Sequence, residues 1–389
     1  MIATKRDKPV ALSEANNELL ALNWDGGNEA FRVSDFPEVF AAERFAVPQS
    51  ELKPGGWQLE PPVKRRLLER LRKAGQPLGE YCKGRFYYGI KTGLNEAFVI
   101  TREQRDALVA QDPQSAEIIK PFLRGRDVQR WNVESQNLWL IFIPWHFPLH
   151  EDESITGPSK EAEVAFRKGY PAIYRHLSSF KSALSARNLA ETGVRYEWYA
   201  LQRWGSSYWQ EFSCPKIFIP AIAASPIAGI DQTGYFSNNK TTIFIPPSVG
   251  LAAACVNSPI AAWLAVQTFA TKQGGFFDFD PRYSRQIPIP AASTQQVGVI
   301  ECLVEAVTVG ISRPEYERLL NGLVYELFFP EDLHARNIRL FDACTAAGIC
   351  EGMDAQAVAA RIFRNDHPIY GQLFDLRALD VVRIIESVE

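Results

Sequence analysis

The stretch R-F-Y-Y-G-I-K-T-G-L-N-E-A-F-V-I-T-R (85–102), followed by I-I-K-P-F-L-R-G-R-D-V-Q-R-W (118–131), decides how the rest of the chain is read. An aromatic strand runs into a polar turn bracketed by glycines; a second strand, a helix and an arginine-dense turn follow. Gly89 and Gly93 flank Lys91 and Thr92. Glycine admits positive φ and lets a partner approach the backbone, while Lys and Thr supply donors. Arg124, Arg126 and Arg130 fall within seven residues, interrupted by Gly125 and Asp127. The planar donor fork of arginine suits phosphate oxygens and base edges. A hairpin loop followed by a solvated basic turn is the competing reading, and spacing does not separate the two.

Working outward, 389 residues with 46% hydrophobic and 12% aromatic side chains describe a folded chain with room for two or three domains. No apolar run approaches the roughly 20 residues of a membrane span. The start, M-I-A-T-K-R-D-K, has no apolar core behind it, so no secretory signal is expected. Cys82, Cys214, Cys255, Cys302, Cys344 and Cys350 are scattered without C-x-x-C spacing. They are expected to be reduced thiols in a cytoplasmic protein. Charge is uneven. Residues 1–51 carry 5 basic and 9 acidic side chains, residues 52–290 carry 29 and 21, and residues 291–389 carry 8 and 15, for nets of −4, +8 and −7. A basic middle between acidic flanks is what a polyanion-binding segment produces.

Those boundaries give the expected organisation: a lead-in over 1–51, a middle domain over 52–290 and a helical C-terminal subdomain over 291–389. The lead-in shows no sustained period. Around 52–62 a Pro/Gly-marked boundary surrounds a short strand, and Val63–Ala74 is an amphipathic helix with Val63, Leu67, Leu68 and Leu71 on one face. Asn137–Pro148 is a buried strand ended by prolines, and Tyr170–Ala190 is helical. Residues 195–209 (R-Y-E-W-Y-A-L-Q-R-W-G-S-S-Y-W) hold six aromatics, either stacking groups for bases or a packed Trp/Tyr corner. Strands over 214–222, 227–230, 235–238 and 241–245, joined by D-Q-T-G and S-N-N-K turns, have meander patterning. An apolar helix over 249–271 contains N-S-P-I, a kink or helix-start signal. Helices over 293–307 and 314–329 follow, the second stopped by Pro330. The fold class expected is mixed α+β: a twisted, largely antiparallel sheet with surrounding helices, then helices alone.

The chemistry that is missing narrows the function. There is no phosphate-loop, dinucleotide, nucleophile-elbow or H-E-x-x-H motif, and the histidines are dispersed. No N-P-P-Y/F and no S-adenosylmethionine motif appears, so no catalytic residue, metal or cofactor is expected in this chain. D-F-D-P (278–281) supports two readings, an Asx-type turn or a metal-dependent hydrolase at Asp278 and Asp280. A protein-interaction module using the acidic tail is a third reading of the whole.

Seven elements in order resemble one family: G-I-K-T-G-L-N-E-A-F-V-I (89–100), I-I-K-P-F-L-R-G-R-D-V-Q-R-W (118–131), Y-P-A-I-Y-R-H-L-x-x-F-K-x-x-L-x-x-R (170–187), P-K-I-F-I-P (215–220), G-Y-F-S-N-N-K (234–240), V-N-S-P-I-A-A-W-L (256–264) and R-Q-I-P-I-P (285–290). Together they are similar to the TaqI-like C-terminal specificity domain of adenine-N6 DNA methyltransferases and type IIG restriction–modification enzymes. N-G-L-V-Y-E-L-F-F (321–329) resembles the segment that follows that domain. The resemblance spans about residues 52–330. It implies a target recognition domain that clamps duplex DNA opposite a catalytic domain or subunit, which flips an adenine and methylates it with S-adenosylmethionine. The chain departs from the family pattern in lacking the catalytic half. Carried over, Lys91, Thr92 and Asn95 of the K-T-G-L-N turn and Arg124 and Arg126 of R-G-R-D are contact candidates, with Asp127 as an alternative, structural partner of an arginine. Chemistry adds Arg187, Arg195, Tyr196, Trp198, Arg203 and Tyr208, and Lys240, Lys272, Arg282 and Arg285 as phosphate contacts.

Overall fold

The computed structural model describes residues 18–22, 36–48, 52, 59–187, 195–310, 313–364 and 366–387. Contacts divide the chain into two compact units, residues 1–74 and 75–389. The expectations for the first residues and for most of 52–62 lie outside the described part.

In the first unit, strand β1 (Glu18–Ala21) pairs antiparallel with β2 (Phe45–Pro48), and a helix over Phe36–Glu43 lies between them in sequence. The expected amphipathic helix runs over Pro62–Ala74 and buries Leu67, Leu68 and Leu71. Val63 does not join that face; it is 55% exposed. In the first helical turn, packing rather than periodicity decides which apolar side chain is covered.

The second unit is built around β8 (Lys216–Pro220), whose five residues are all buried. A K-I-F-I-P run without polar alternation belongs in the middle of a sheet covered on both faces. The remaining strands are β3 (Gly75–Pro77), β4 (Phe86–Tyr88), β5 (Val99–Thr101), β6 (Ile119–Leu123), β7 (Leu138–Ile141), β9 (Ile222–Ala223), β10 (Gly229–Asp231), β11 (Phe236–Ser237), β12 (Thr241–Phe244), β13 (Thr271–Lys272), β14 (Phe276–Asp278) and β15 (Pro288–Pro290). The order β10-β8-β12-β4 makes an antiparallel sheet, with Phe244 opposite both Ile217 and Phe86. A second sheet runs β11-β6-β7-β5, antiparallel except where β11 meets β6. Smaller sheets are β13-β14-β9 and β15-β3. Among the named strands of the described residues the pairings other than β11–β6 are antiparallel, and the whole is mixed α+β, as expected.

The two large sheets meet at Gly89 and Ile90. Ile90 donates to the Ser237 carbonyl at 2.7 Å, Asn239 donates to Ile90 at 3.0 Å, and Asn238 donates to Leu123 at 3.3 Å. Gly89 is required there, because a Cβ would lie 1.9 Å from the Asn238 carbonyl oxygen. Beneath the junction, Phe212 stacks on Phe236 at 4.4 Å, within a core that includes Phe122, Phe142 and Phe218.

Several elements are shorter than their patterns. The strand of 137–148 is regular only over Leu138–Ile141. The helix of 170–190 breaks into Pro171–Ser178 and Lys181–Ser185, and its last residues, 188–190, lie outside the described part. The apolar helix divides into Val249–Val256 and Pro259–Thr268, bent by 57°. Ser258 caps the second piece through the Ala261 amide, with Pro259 as its first residue, so N-S-P-I is both kink and start. Both pieces are largely buried, and among the described residues no single helix is long and apolar enough to cross a membrane.

Helices over Thr294–Val309 and Arg313–Phe328 open the C-terminal part. They are joined to the sheets by specific contacts. Glu301 accepts from the Gly250 amide at 3.0 Å and from the Ser248 hydroxyl, and Glu317 accepts from buried Trp131 at 2.6 Å. The arginine turn therefore ends on a side chain anchored in the C-terminal helices.

Candidate nucleic-acid interface

Three turns and one loop meet where the sheets join. Lys91 and Arg203 exchange backbone hydrogen bonds of 3.0 and 2.9 Å, which places the K-T-G-L-N turn beside the 201–205 loop. The S-N-N-K turn holds Ile90 from the other side through the hydrogen bonds that join the sheets. A Cβ on Gly125 would meet the Lys240 carbonyl oxygen at 3.0 Å, so the R-G-R-D turn abuts the S-N-N-K turn. This chain of backbone neighbours brings half-buried Lys91 and exposed Asn95, Arg126, Arg203 and Lys240 to neighbouring turns.

Two expected contacts face inward. Thr92 is 4% exposed, and its hydroxyl donates to the Asn95 carboxamide oxygen at 2.7 Å. Arg187 is buried and donates to Thr92, Trp198 and Leu184 carbonyls at 2.9, 2.7 and 3.0 Å. Burial draws its pKa below the ordinary guanidinium value, against a smaller opposing pull from Tyr196. Gly93 sits at φ +80°, where a Cβ would come within 2.6 Å of the Arg187 side chain. The contact role expected of Thr92 and Arg187 is therefore replaced by a structural one. Arg187 is the internal post around which the K-T-G-L-N turn is wound, and the polar surface of that turn is left to Lys91 and Asn95.

The R-G-R-D turn divides its labour. Asp127, 3% exposed, accepts from Arg124 Nε and Nη2 at 3.0 Å each and from the Arg124 amide at 2.8 Å. That two-pronged pair closes the turn and fixes Arg124 along it, while Arg126 points outward. The alternative role of Asp127 as a structural partner is the one realised.

The aromatic stretch is mostly a packed corner. Tyr196 stacks on Trp145 at 4.8 Å and Tyr208 on Tyr87 at 4.5 Å, while Trp198 donates to Glu163 at 2.9 Å and lies under the Lys181 ammonium. Burial raises the Glu163 carboxyl, but hydrogen bonds from Trp198 and Tyr174 outweigh it and leave the pKa lowered. Stacking faces expected for bases are thus occupied by protein for Tyr196, Trp198 and Tyr208. Arg195 is exposed.

A second group lies at the smaller sheet β13-β14-β9. The Lys240 carbonyl accepts from Ala221 and the Ala221 carbonyl from Phe279, each at 2.8 Å, which leads to the D-F-D-P turn. There Lys272 Nζ lies 3.1 Å from Asp278, Arg282 Nε 3.1 Å from Asp280, and exposed Tyr88 donates to Asp280 at 3.2 Å. Arg285 lies over the Phe86 ring at 5.9 Å. Burial pushes the Asp280 carboxyl up, yet hydrogen bonds from Arg282 and Tyr88 hold it below its usual value. Asp280 caps the short helix Pro281–Ser284 and Asp278 accepts from the Asp280 amide at 2.9 Å, which is the Asx-type turn. Both carboxylates are neutralised by cations, and no group of three or more His, Cys, Asp or Glu suited to a metal occurs among the described residues. These positions give the hydrolase reading no support.

The sequence did not single out Lys216 and Asp231. Lys216 Nζ is fully buried, 2.5 Å from Asp231 Oδ2, and Asp231 also accepts from the Thr233 and Tyr235 amides at 2.8 Å each. Burial lowers the Lys216 pKa against the opposing pull of Asp231. The pair fixes the D-Q-T-G turn that leads to β11. Its only sequence signal was a lysine inside an otherwise apolar strand.

No protein-family model matches this sequence. Over 138 residues it is 25% identical to the type II methyltransferase M.MjaIV of Methanocaldococcus jannaschii, a match covering 36% of this chain and 40% of that protein. Among solved structures, the type IIL restriction-modification enzyme MmeI in complex with DNA covers 78% of this chain and 35% of its own, at 13% identity and a TM-score of 0.38. The type IIG restriction endonuclease BpuSI covers 74% and 36%, at 12% identity and a TM-score of 0.37. In each case the match takes in less than half the length of the other protein. The sequence is thus similar, over about a third of its length, to part of a type II methyltransferase.

Proposed function

We propose that this chain recognises duplex DNA as the specificity portion of a restriction–modification or phage-defence adenine-N6 methyltransferase. It resembles the TaqI-like specificity domain and works in the cytoplasm. Catalysis, with S-adenosylmethionine, belongs to a methyltransferase or nuclease domain or subunit that faces the same DNA. The observation that carries the reading is the convergence of the K-T-G-L-N, R-G-R-D and S-N-N-K turns with the Arg203 loop, which sets cations and Asn95 on adjoining turns. The sequence similarity to a type II methyltransferase supports it.

In this reading Arg126, Arg203, Lys240 and Lys91 meet phosphates, with Arg195, Lys272, Arg282 and Arg285 on the flanks. Asn95 has the paired donor and acceptor that adenine N6 and N7 require. Residues 52–290 hold the recognition surface, and the helices of 291–389 buttress it. Filter binding to duplex DNA at low and raised salt tests the proposal. Binding whose logarithm falls linearly with the logarithm of salt is expected. No binding at low salt, or no loss as salt rises, would sink it.

A further inference from the structure

An open surface depression of about 660 Å³ lies in the C-terminal helical part, well away in sequence from the turns described above. Ala343, Ala346, Ala347 and Ala360 are among the residues that line it. The helices concerned are Leu340–Ala346, Ala355–Ile362 and Ile369–Leu376.

What reaches the depression is cationic. Arg339, Arg361, Arg364 and His367 line it, with Asp342 as its one carboxylate. With His367 neutral, three arginines against one aspartate leave a local charge of +2 (3 − 1), inside a segment whose net charge is −7. Neither the Arg339 nor the Arg364 side chain has a carboxylate partner among the described residues. Arg361 is held in place because Nη1 donates to the Gly348 carbonyl at 2.7 Å and the Ala347 carbonyl at 3.4 Å. His367 Nδ1 accepts from the Ile369 amide at 3.3 Å, so the neutral ring carries its proton on Nε2 and offers a donor there. Gln372 accepts from the Arg339 amide at 2.6 Å, which pins the start of the first helix to the third.

Like charges gathered at a concave site repel one another, and the surrounding acidic segment has carboxylates enough to pair them. Arg339, Arg361 and Arg364 are all exposed there, so their charges stay solvated and open to a multiply charged anion. Arginine forks combined with an Nε2 donor match the tetrahedral oxygens of phosphate. We propose that this depression binds a phosphate-bearing ligand, through Arg339, Arg364 and His367, with Arg361 as the fixed wall. The phosphates come from a free phosphorylated small molecule or from a nucleic-acid backbone, and the two sources share this chemistry.

The test uses the full chain and inorganic pyrophosphate, by calorimetric titration at low salt. A second arm is filter binding of duplex DNA. The Arg339→Gln/Arg364→Gln double variant changes only exposed side chains, and an unchanged melting temperature confirms that it folds. Arg364→Lys serves as a charge-conserving comparison. Saturable one-to-one pyrophosphate binding, weakened at least tenfold in the double variant and partly kept in Arg364→Lys, supports the site with a small-molecule source. If pyrophosphate stays silent, a tenfold loss of duplex affinity in the double variant supports it with nucleic acid as the source. Equal pyrophosphate binding by both proteins overturns the proposal. So does silence in the first arm together with unchanged duplex affinity, or a wild type that binds neither ligand. Pyrophosphate binding does not depend on DNA recognition, so the two proposals fail separately.

Discussion

Arg124 and Arg126 are two residues apart and do different work. Arg124 is held by Asp127 in a two-pronged pair, whereas Arg126 of the same turn faces solvent. Arg126→Ala is therefore expected to leave the melting temperature unchanged, to weaken duplex binding uniformly across sequences and to reduce the salt slope by about 1. Filter binding against salt measures it. Arg187→Ala should do the opposite. It strips donors from the carbonyls of Thr92, Leu184 and Trp198, which lie in or around the buried core of the turn. At ~1–3 kcal/mol for a buried group left unpaired, a loss of about 3 kcal/mol of unfolding free energy in chemical denaturation is expected. A loss below about 1 kcal/mol would mean that the guanidinium does not hold the turn.

At the scale of elements, the junction of the two sheets depends on Gly89. Gly89→Ala places a methyl group 1.9 Å from the Asn238 carbonyl and has to push the S-N-N-K turn away from β4. Duplex affinity is expected to fall at least tenfold, with a lowered melting temperature that Arg126→Ala does not share. The bent helix pair offers a milder perturbation. Ser258→Ala removes the cap on the Ala261 amide and should cost about 1 kcal/mol in denaturant unfolding without touching DNA binding. Affinity loss in Ser258→Ala equal to that in Gly89→Ala would show that any destabilisation suffices and that the junction has no special role.

For the molecule as a whole, carboxylates held by arginine set the acid side of stability. Hydrogen bonding from Arg85 keeps Glu211 below its usual pKa of 4.5. A carboxyl whose folded pKa is depressed contributes stability at neutral pH, which is lost as pH falls below 4.5 and through the lower folded value. Melting temperature should therefore decline between pH 5 and about 3, and Glu211→Gln should flatten that decline while lowering the neutral-pH value. An unchanged pH profile in Glu211→Gln would remove Glu211 from the account. The solvent-exposed part of this pair is screened, so the effect is expected to be a fraction of a kcal/mol.

The sequence by itself determined the fold class, the apolar run of β8, the N-S-P-I break, the C-terminal helices and the short strands after β8, though not as the expected meander, since β11 leaves β10 and β12 to join the second sheet. Each is written in local periodicity, capping chemistry or proline placement, which operate over a few residues. It also marked the turns at 91–95, 124–127 and 238–240 as polar, the first two with a glycine. Strand β6 escaped, because Pro121 and Lys120 interrupt its apolar pattern and only pairing with β7 makes it a strand. Tertiary structure alone decided that Arg187 and Thr92 turn inward, that the aromatic corner stacks on itself, and that Lys216 meets Asp231. It alone brought Lys240 against Gly125 and Arg203 against Lys91. Burial and pairing of a side chain depend on residues distant along the chain, and whether a cation faces solvent or a carbonyl is settled only once those residues arrive.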